Sequence, residues 1–229
     1  MALKYYYDLM SQPCRAVYML LHLNKVPFEP VSIAIRNGEH KKPDYLKINP
    51  FGLCPAIEHN GFCLTESIAM SKYIIREFEL ADHWFPQDLK KQAKVEEYLH
   101  WQHFNTRFAA ASLFRTLLIF PVATGVKPDP DEVAKLQKGV GKMVSRLESY
   151  YLKDTPYLSS NEISLADLFG ACELMQLFAA HQENLFEKSP KVNEWMQRIK
   201  EETNPHFDDA HKFTYNARKK YPEIVKRFQ

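Results

Sequence analysis

Signals for β-strands are confined to the first part of this chain, and that division limits the folds it can adopt. Short runs rich in tyrosine and β-branched residues alternate with helical patterns up to about residue 78. After residue 88 the sequence carries helical patterns alone. A chain of 229 residues has room for one or two domains. We therefore predict an α/β domain over residues 1–80, a linker over 81–88 and an all-helical domain over 89–229.

The predicted first domain has the order βαβ followed by ββα. The Asn60-Gly61 dipeptide between two apolar runs is typical of a two-residue hairpin turn. The segment 40–48 is predicted as a loop with a short helix. The other predicted elements are a strand over Leu3–Tyr7, a helix to about Asn24, a strand over Phe28–Ile35 and a helix over Glu66–Phe78.

The second domain is predicted to contain several helices. They run from Leu89 to about Phe120, ending at Pro121, from Asp131 to Leu152, from Ser164 to about Ala179 and from Lys191 to Thr203, with one or two short helices over 207–221. The helix after Ser164 is apolar on all sides, which predicts a central position. Ser164 and Asp167 have the spacing of a capping box, so we interpret Asp167 as a cap rather than a catalytic acid.

Charge and cysteine content argue against several classes of protein. The net charge of +2 gives no electrostatic case for nucleic acid or an acidic membrane. The four cysteines lack paired metal-ligand spacing and do not suggest a disulfide scaffold in a chain this long. We see no signal-peptide pattern and no run of about 18 apolar residues. The expectation is a cytoplasmic protein without a metal, a nucleic-acid partner or a membrane partner.

Three short motifs stand at element boundaries in the first domain. Ser11 precedes a helix, Pro55 precedes a strand, and Glu66-Ser67 open another helix. Ser11 can be an N-cap or can donate a hydrogen bond to an anion. Glu66 and Ser67 can favour a first helical turn or can bind a charged ligand. Each motif alone has an ordinary structural interpretation. Their order along the chain is what points to a binding site.

Two stretches of the sequence resemble the theta class of cytosolic glutathione transferases. They are Asp8–Ala16, which contains Ser-Gln-Pro-Cys-Arg, and the run from Trp84 through Leu89 to His103. The resemblance covers nearly the whole chain and implies a thioredoxin-like first domain, glutathione as co-substrate and a homodimer. The short segment after Tyr221 is closer to invertebrate, insect-like members. The implied reaction is conjugation of glutathione to small hydrophobic electrophiles, with possible reduction of organic hydroperoxides.

The resemblance also implies catalytic roles. A cysteine thiol has a pKa of about 8.5, so the thiolate needs help near neutral pH. Ser11 would donate a hydrogen bond to it, aided by the positive end of the helix that starts at Gln12. Arg107 matches an arginine directed toward the sulfur, whereas its ordinary interpretation is a solvated helix residue. Cys14 has no cysteine at position 11 to pair with, so we interpret it as a core residue.

The residues that the resemblance implies for glutathione binding are Gln12, His40, Lys41, Cys54, Pro55, Glu66 and Ser67. Pro55 is expected to be cis, so that the backbone of Cys54 can pair with the peptide; an ordinary edge-strand proline is the alternative. Leu53 replaces a lysine common in relatives, which predicts weaker glutathione binding. The electrophile pocket is assigned to Met10, Phe104, Phe108 and Ser112.

Two other functions stay open. One is a non-catalytic ligand carrier or assembly module with the same fold. The joint presence of Ser11, Glu66 and Ser67 favours catalysis over this alternative. The other is a thiol–disulfide enzyme, which the serine at position 11 disfavours because no attacking thiol is present there.

Overall fold

A computed structural model describes residues 2–227, which form a four-stranded sheet with flanking helices and then a helical half. The first half contains β1 (Leu3–Tyr7), α1 (Gln12–Leu23), β2 (Phe28–Ser32), α2 (Pro43–Leu46), β3 (Ala56–His59), β4 (Phe62–Leu64) and α3 (Ser67–Glu77). The strand order is β2-β1-β3-β4, with β1 parallel to β2 and antiparallel to β3. This confirms the predicted thioredoxin-like arrangement of βαβ followed by ββα.

The second strand ends earlier than predicted. We expected it to reach Ile35, but β2 ends at Ser32 and a single helical turn covers Ile35–Asn37. Two carboxylates take up the backbone donors that follow. The N–H of Ala34 donates to Glu39 Oε2 at 2.8 Å, and that of Ile35 donates to Asp8 Oδ2 at 3.0 Å. These bonds turn the chain out of the sheet despite the alternating apolar pattern.

The hairpin between β3 and β4 turns where the sequence predicted. Asn60 and Gly61 have φ angles of 52° and 81°, and His59 pairs with Phe62 on the opposite strand. Two successive positive φ angles match the twist of the flanking strands, which is why this dipeptide favours the turn.

The second half is helical. It contains α4 (Leu89–Trp101), α5 (Thr106–Phe114), α6 (Phe120–Thr124), α7 (Pro130–Arg146), α8 (Leu165–Ala179), α9 (Asn184–Glu187), α10 (Pro190–Thr203), α11 (His206–Ala210) and α12 (Lys212–Lys226). The short helix α9 was not predicted. The α-helical part of α7 ends at Arg146, and a π-helical segment over Leu147–Tyr151 continues it to a C-cap at Leu152, where the helix was predicted to end. Helix α8 is buried along almost its whole length and contacts α1, α4, α5, α10 and α12, which confirms its central position.

The long helix after the linker is interrupted, and Pro121 does not end it. A 3₁₀ turn over Gln102–Phe104 separates α4 from α5, and a π-helical segment over Arg115–Ile119 joins α5 to α6. Pro121 lies in the first turn of α6, where an N–H is not required. The helix instead ends at Gly125, whose φ of 71° is left-handed.

The stretch Leu89–Thr124 is long and apolar enough to cross a membrane by length and composition alone. The same composition suits a core helix of a globular protein. Ala110 and Leu113 of α5 are fully buried, and α5 packs against α7 and α8. In this structure the stretch therefore contributes to the core of the helical half.

Candidate functional site

A small cleft of about 70 Å³ lies where the sheet half meets α5. It brings together five residues that the sequence singled out: Cys54, Pro55, Glu66, Ser67 and Arg107. Its remaining lining residues are Pro13, Asn49, Phe51 and Leu53. The cleft is therefore built from the start of α1, the loop before β3, the start of α3 and the start of α5.

Ser11 and Gln12 stand at the start of α1, and neither is among the residues that line the cleft in the described chain. The Ser11 Oγ is 3.5 Å from the carbonyl oxygen of Cys54. Within residues 2–227 its side chain makes no hydrogen bond that caps α1. Its backbone N–H donates to the Asp8 carbonyl at 2.9 Å, which fixes the turn that leads from β1 into α1. The hydroxyl is thus held beside Cys54 and is not used to cap its own helix.

Side chains from α2 and from the segment after it hold the loop before β3 in place. The Leu53 carbonyl accepts hydrogen bonds from Tyr45 Oη and from Asn49 Nδ2, both at 2.6 Å. The Cys54–Pro55 peptide bond is cis, as the sequence predicted. Leu53 is 56% exposed, so its side chain faces solvent at the cleft.

Glu66 and Ser67 form the start of α3. Glu66 has a φ of 64°, an uncommon conformation for a residue with a side chain, and it is exposed. Ser67 is 6% exposed and is the first helical residue. A non-glycine residue in this conformation costs on the order of 1–3 kcal/mol, and such residues cluster at binding sites. The start of α3 therefore presents a carboxylate, a hydroxyl and free N–H groups to one side of the cleft.

His40 and Lys41 approach the same loop from its outer side. Lys41 Nζ donates to the Phe51 carbonyl at 3.5 Å. A Cβ added to Gly52 would lie 2.9 Å from the His40 carbonyl oxygen and from Lys41 Nζ, so this close approach requires glycine. Neither His40 nor Lys41 lines the cleft in the part of the chain described here, but both lie next to it.

Arg107 lines the cleft from the first turn of α5 and is half-buried, so it is not a fully solvated helix residue. Four residues predicted for an electrophile pocket lie elsewhere in the described chain. Phe104 and Phe108 are 85% and 62% exposed, and Met10 and Ser112 are half-buried. Among residues 2–227 none of these four lines the cleft.

Cys14 is fully buried, and burial raises the pKa of its thiol well above the usual value. This confirms the interpretation of Cys14 as a core residue. Asp167 forms the predicted capping box with Ser164, and its carboxylate also accepts from the Leu158 N–H and from Trp195 Nε1, both at 2.9 Å. Asp167 therefore caps α8 and also accepts hydrogen bonds from two buried donors outside that helix.

Sequence reasoning missed three buried polar residues at the contact between α1 and α8. Arg15, Glu173 and Gln176 lie between α1 and α8, and each is at most 3% exposed. The signal was present, because Glu173 and Gln176 interrupt an otherwise apolar helix, but that pattern alone does not identify their neighbours. In residues 2–227 no group of three or more histidine, cysteine or acidic residues has a geometry that could hold a metal ion.

Comparisons with known proteins show which family the chain belongs to. The family model of the glutathione S-transferase N-terminal domain matches residues 1–76, and that of the C-terminal domain matches residues 113–202. Glutathione S-transferase theta-3 of Mus musculus is 35% identical over 95% of this chain and 90% of its own length. Glutathione S-transferase T1 of Arabidopsis thaliana is 37% identical over 95% of this chain and 91% of its own length.

A solved structure indicates the same family. The human theta-class glutathione transferase in complex with the glutathione conjugate of 1-menaphthyl sulfate is 31% identical. It superposes with a TM-score of 0.92 and covers 98% of this chain and 92% of its own. The fold is that of a glutathione transferase. The chain belongs to the theta class of the glutathione S-transferase family.

Proposed function

We propose that this protein binds glutathione in the cleft and that Ser11 stabilises the glutathione thiolate for attack on small hydrophobic electrophiles. The position of Ser11 supports this most directly. Its hydroxyl lies beside Cys54 at the start of α1, and among the described residues it does not cap its helix. The Ser11 O–H makes only a long contact of 3.5 Å with the Cys54 carbonyl oxygen, so it can donate instead to an anion at the positive end of the helix.

The same proposal assigns binding roles around the cleft. Glu66 would pair with the ammonium of the γ-glutamyl group, while Ser67 and the N–H groups of α3 would bind its carboxylate. The backbone of Cys54, beside the cis Pro55, would pair with the extended peptide. Gln12, His40 and Lys41 would complete the glutathione site. Arg107 would favour the thiolate by direct attraction.

The electrophile pocket is proposed to use Met10, Phe104, Phe108 and Ser112. Phe104, in the turn before α5, and Phe108, in α5, are exposed aromatic residues that suit small hydrophobic compounds such as organic halides, epoxides or hydroperoxides. We also propose domains over 1–80 and 89–229 with a linker over 81–88, a cytoplasmic location and a homodimer. An affiliation with invertebrate members remains a prediction, and no metal, nucleic acid or membrane is part of the proposal.

Calorimetry with glutathione tests the binding site, and three variants sharpen it. Glu66→Ala and Ser67→Ala should each weaken binding by about tenfold, since a charge-assisted hydrogen bond contributes about 1.5–3 kcal/mol. Leu53→Lys should strengthen binding by adding a cation at the exposed edge of the cleft. Unchanged affinity in both alanine variants would remove Glu66 and Ser67 from the site.

The reaction itself is tested by initial rates with glutathione and a panel of organic halides, epoxides and hydroperoxides. We expect conjugation or reduction with at least one class. A protein that binds glutathione but turns over none of them would favour the non-catalytic alternative.

A further inference from the structure

A charged side chain is fully buried where the sheet half meets the helical half. Arg15 lies on the buried face of α1, four residues after Ser11, and it is 0% exposed. Burial of a charge is unfavourable unless polar groups replace the lost water. Arginine keeps its charge at any pH at which proteins are folded. The groups that the guanidinium binds therefore show what the buried charge does.

One end of the guanidinium binds the turn that leads from β1 into α1. Its Nη1 donates to the carbonyl of Leu9 at 2.9 Å and to that of Met10 at 3.1 Å. The Met10 carbonyl belongs to the peptide unit that ends at the nitrogen of Ser11. Because a peptide unit is planar, a bond that fixes this carbonyl also fixes the direction of the Ser11 backbone.

The other end of the guanidinium reaches the central helix of the second half. Its Nη2 donates to the carbonyl of Cys172 in α8 at 3.0 Å. Helix α8 is buried along almost its whole length and packs against α1. The guanidinium is a planar, rigid fork of donors. Its three bonds therefore hold the turn before Ser11 at a fixed position relative to α8.

The same turn is also held from the sheet half. Asp8 Oδ1 accepts from the Met10 N–H at 2.9 Å, and its Oδ2 accepts from the Ile35 N–H at 3.0 Å. The Asp8 carbonyl accepts from the Ser11 N–H at 2.9 Å. Asp8 thus ties the turn to the sheet half, while Arg15 ties it to the helical half.

The hydroxyl of Ser11 depends on this backbone support, because its own contacts are weak. In the described chain it does not cap α1, and its contact with the Cys54 carbonyl oxygen is 3.5 Å long. A donor that stabilises a developing or bound charge must be held within about 0.5 Å of its productive position. The turn before Ser11 supplies that precision.

We propose that Arg15 is a positioning residue, which holds the turn over residues 9–11 against α8 so that the Ser11 hydroxyl is directed at the glutathione thiolate. The inference rests on the proposed role of Ser11. A buried charge adds little net stability compared with an apolar side chain of similar size. An arginine with a structural role alone could therefore be replaced without loss of activity per folded molecule, whereas a positioning arginine could not.

The test compares kcat, the glutathione KM and the pKa of the bound thiol in wild type, Arg15→Met and Arg15→Lys. Methionine fills much of the space and leaves no buried charge, so the fold should persist. We expect Arg15→Met to lower kcat about tenfold and to raise the bound-thiol pKa toward the free value of about 8.5, with KM changed less than about twofold. Arg15→Lys keeps the charge but lacks the fork, so it should lower kcat only about threefold.

Met19→Ala is the matched control for loosened packing. Met19 is fully buried on the same helix, its Sδ lies 4.0 Å from Cys172 Sγ, and it is outside the turn. Its removal should lower the melting temperature and leave kcat and the bound-thiol pKa as in wild type. If Arg15→Met also melts lower but keeps the wild-type kcat and bound-thiol pKa, the arginine is structural alone and the proposal is overturned. Arg15→Lys decides the same question if the methionine variant does not fold.

A double variant separates this inference from the function on which it rests. If Arg15 acts through Ser11, Arg15→Met combined with Ser11→Ala should match Ser11→Ala alone in kcat and in bound-thiol pKa. An equal effect of Arg15→Met in both backgrounds would show that its charge acts without Ser11, which overturns the positioning role and leaves Ser11 in place. A wild-type kcat and bound-thiol pKa in Ser11→Ala would overturn both.

Discussion

Ser11 and Ser164 both precede the first turn of a helix, yet their hydroxyl groups are used differently. Ser164 is 1% exposed, and its hydroxyl and backbone N–H donate to the same Asp167 oxygen at 2.9 and 2.8 Å. Ser11 is half-buried beside the cleft, and in the described chain its hydroxyl does not cap its helix. One serine is committed to the fold, while the other is available to a ligand.

The difference originates in the first turn of each helix. An N-cap side chain accepts from the N–H of the second or third helical residue. In α1 the second residue is Pro13, which has no N–H. In α8 the third residue is Asp167, whose carboxylate accepts from Ser164. Pro13 removes one of the two donors that could bind the Ser11 oxygen, and in the described chain Cys14, the third residue, makes no such bond. Asp167, by contrast, binds Ser164 into the fold.

Asp167→Ala should give the largest effect, on stability. It would leave buried donors of Ser164, Leu158 and Trp195 without a partner, and we expect a loss on the order of 3 kcal/mol. Thermal unfolding should shift down by roughly ten degrees, while activity per folded molecule is kept. Asp88→Ala removes an exposed cap of α4 and is the matched control, with an expected loss of about 1 kcal/mol. Equal shifts in both variants would show that Asp167 is an ordinary cap.

Ser11→Ala should act on chemistry and leave stability nearly unchanged. Loss of one hydrogen bond to a charged sulfur costs about 1.5–3 kcal/mol, which lowers kcat by at least about tenfold. Ser164→Ala is the matched control; it should melt lower and keep its kcat. The measurement is kcat with an electrophile whose rate is limited by thiolate attack. A kcat equal to wild type in Ser11→Ala would refute the role assigned to the hydroxyl.

Most of the fold could be predicted because its signals are local. The Asn60-Gly61 turn, the apolar helix α8 and its capping box each depend on a few adjacent residues. The elements that were predicted wrongly depend on distant partners or on a change of helix type. Asp8 and Glu39 end β2 early, and the π-helical segment before α6 places Pro121 in a first turn.

Some residues of the candidate site could likewise be predicted from local signals in the sequence, and others could not. Ser11, Pro55 and Glu66 could be found because each stands at an element boundary. The buried Arg15 could not, since its partner, the Cys172 carbonyl, lies in α8, far from α1 in the sequence. The cleft also omits Phe104 and Phe108, among the residues described, because 3₁₀ and helical turns at the start of α5 direct these side chains to solvent.

Arg107→Ala should have a smaller effect that depends on pH. A guanidinium near the sulfur favours the thiolate, so its loss raises the pKa of the bound thiol. We expect kcat/KM to fall about fivefold at about pH 6.5 and the deficit to shrink toward the thiol pKa of about 8.5. Arg107→Lys should recover part of the loss, because it keeps the charge without the fork geometry. Superimposable pH–rate profiles would make Arg107 a helix-surface residue.

Pro13→Ala should give the smallest effect. It tests whether Pro13 contributes to the difference between Ser11 and Ser164. It restores an N–H at the second position of α1, which can donate to the Ser11 oxygen and hold the side chain over its own helix. We expect kcat to fall by about twofold, with a stability loss of about 0.5–1 kcal/mol from the freer unfolded chain. Pro130→Ala, in the first turn of α7, should show the stability loss alone. An unchanged kcat in Pro13→Ala would mean that the missing N–H does not matter.

The central claim is that Ser11 serves the thiolate while Ser164 serves the fold. The most direct test is a spectroscopic titration of the thiol of bound glutathione in wild type, Ser11→Ala and Ser164→Ala. We expect wild type and Ser164→Ala to share a pKa well below the free value of about 8.5, and Ser11→Ala to return most of the way to it. A bound-thiol pKa that is the same in Ser11→Ala and in wild type would contradict the claim.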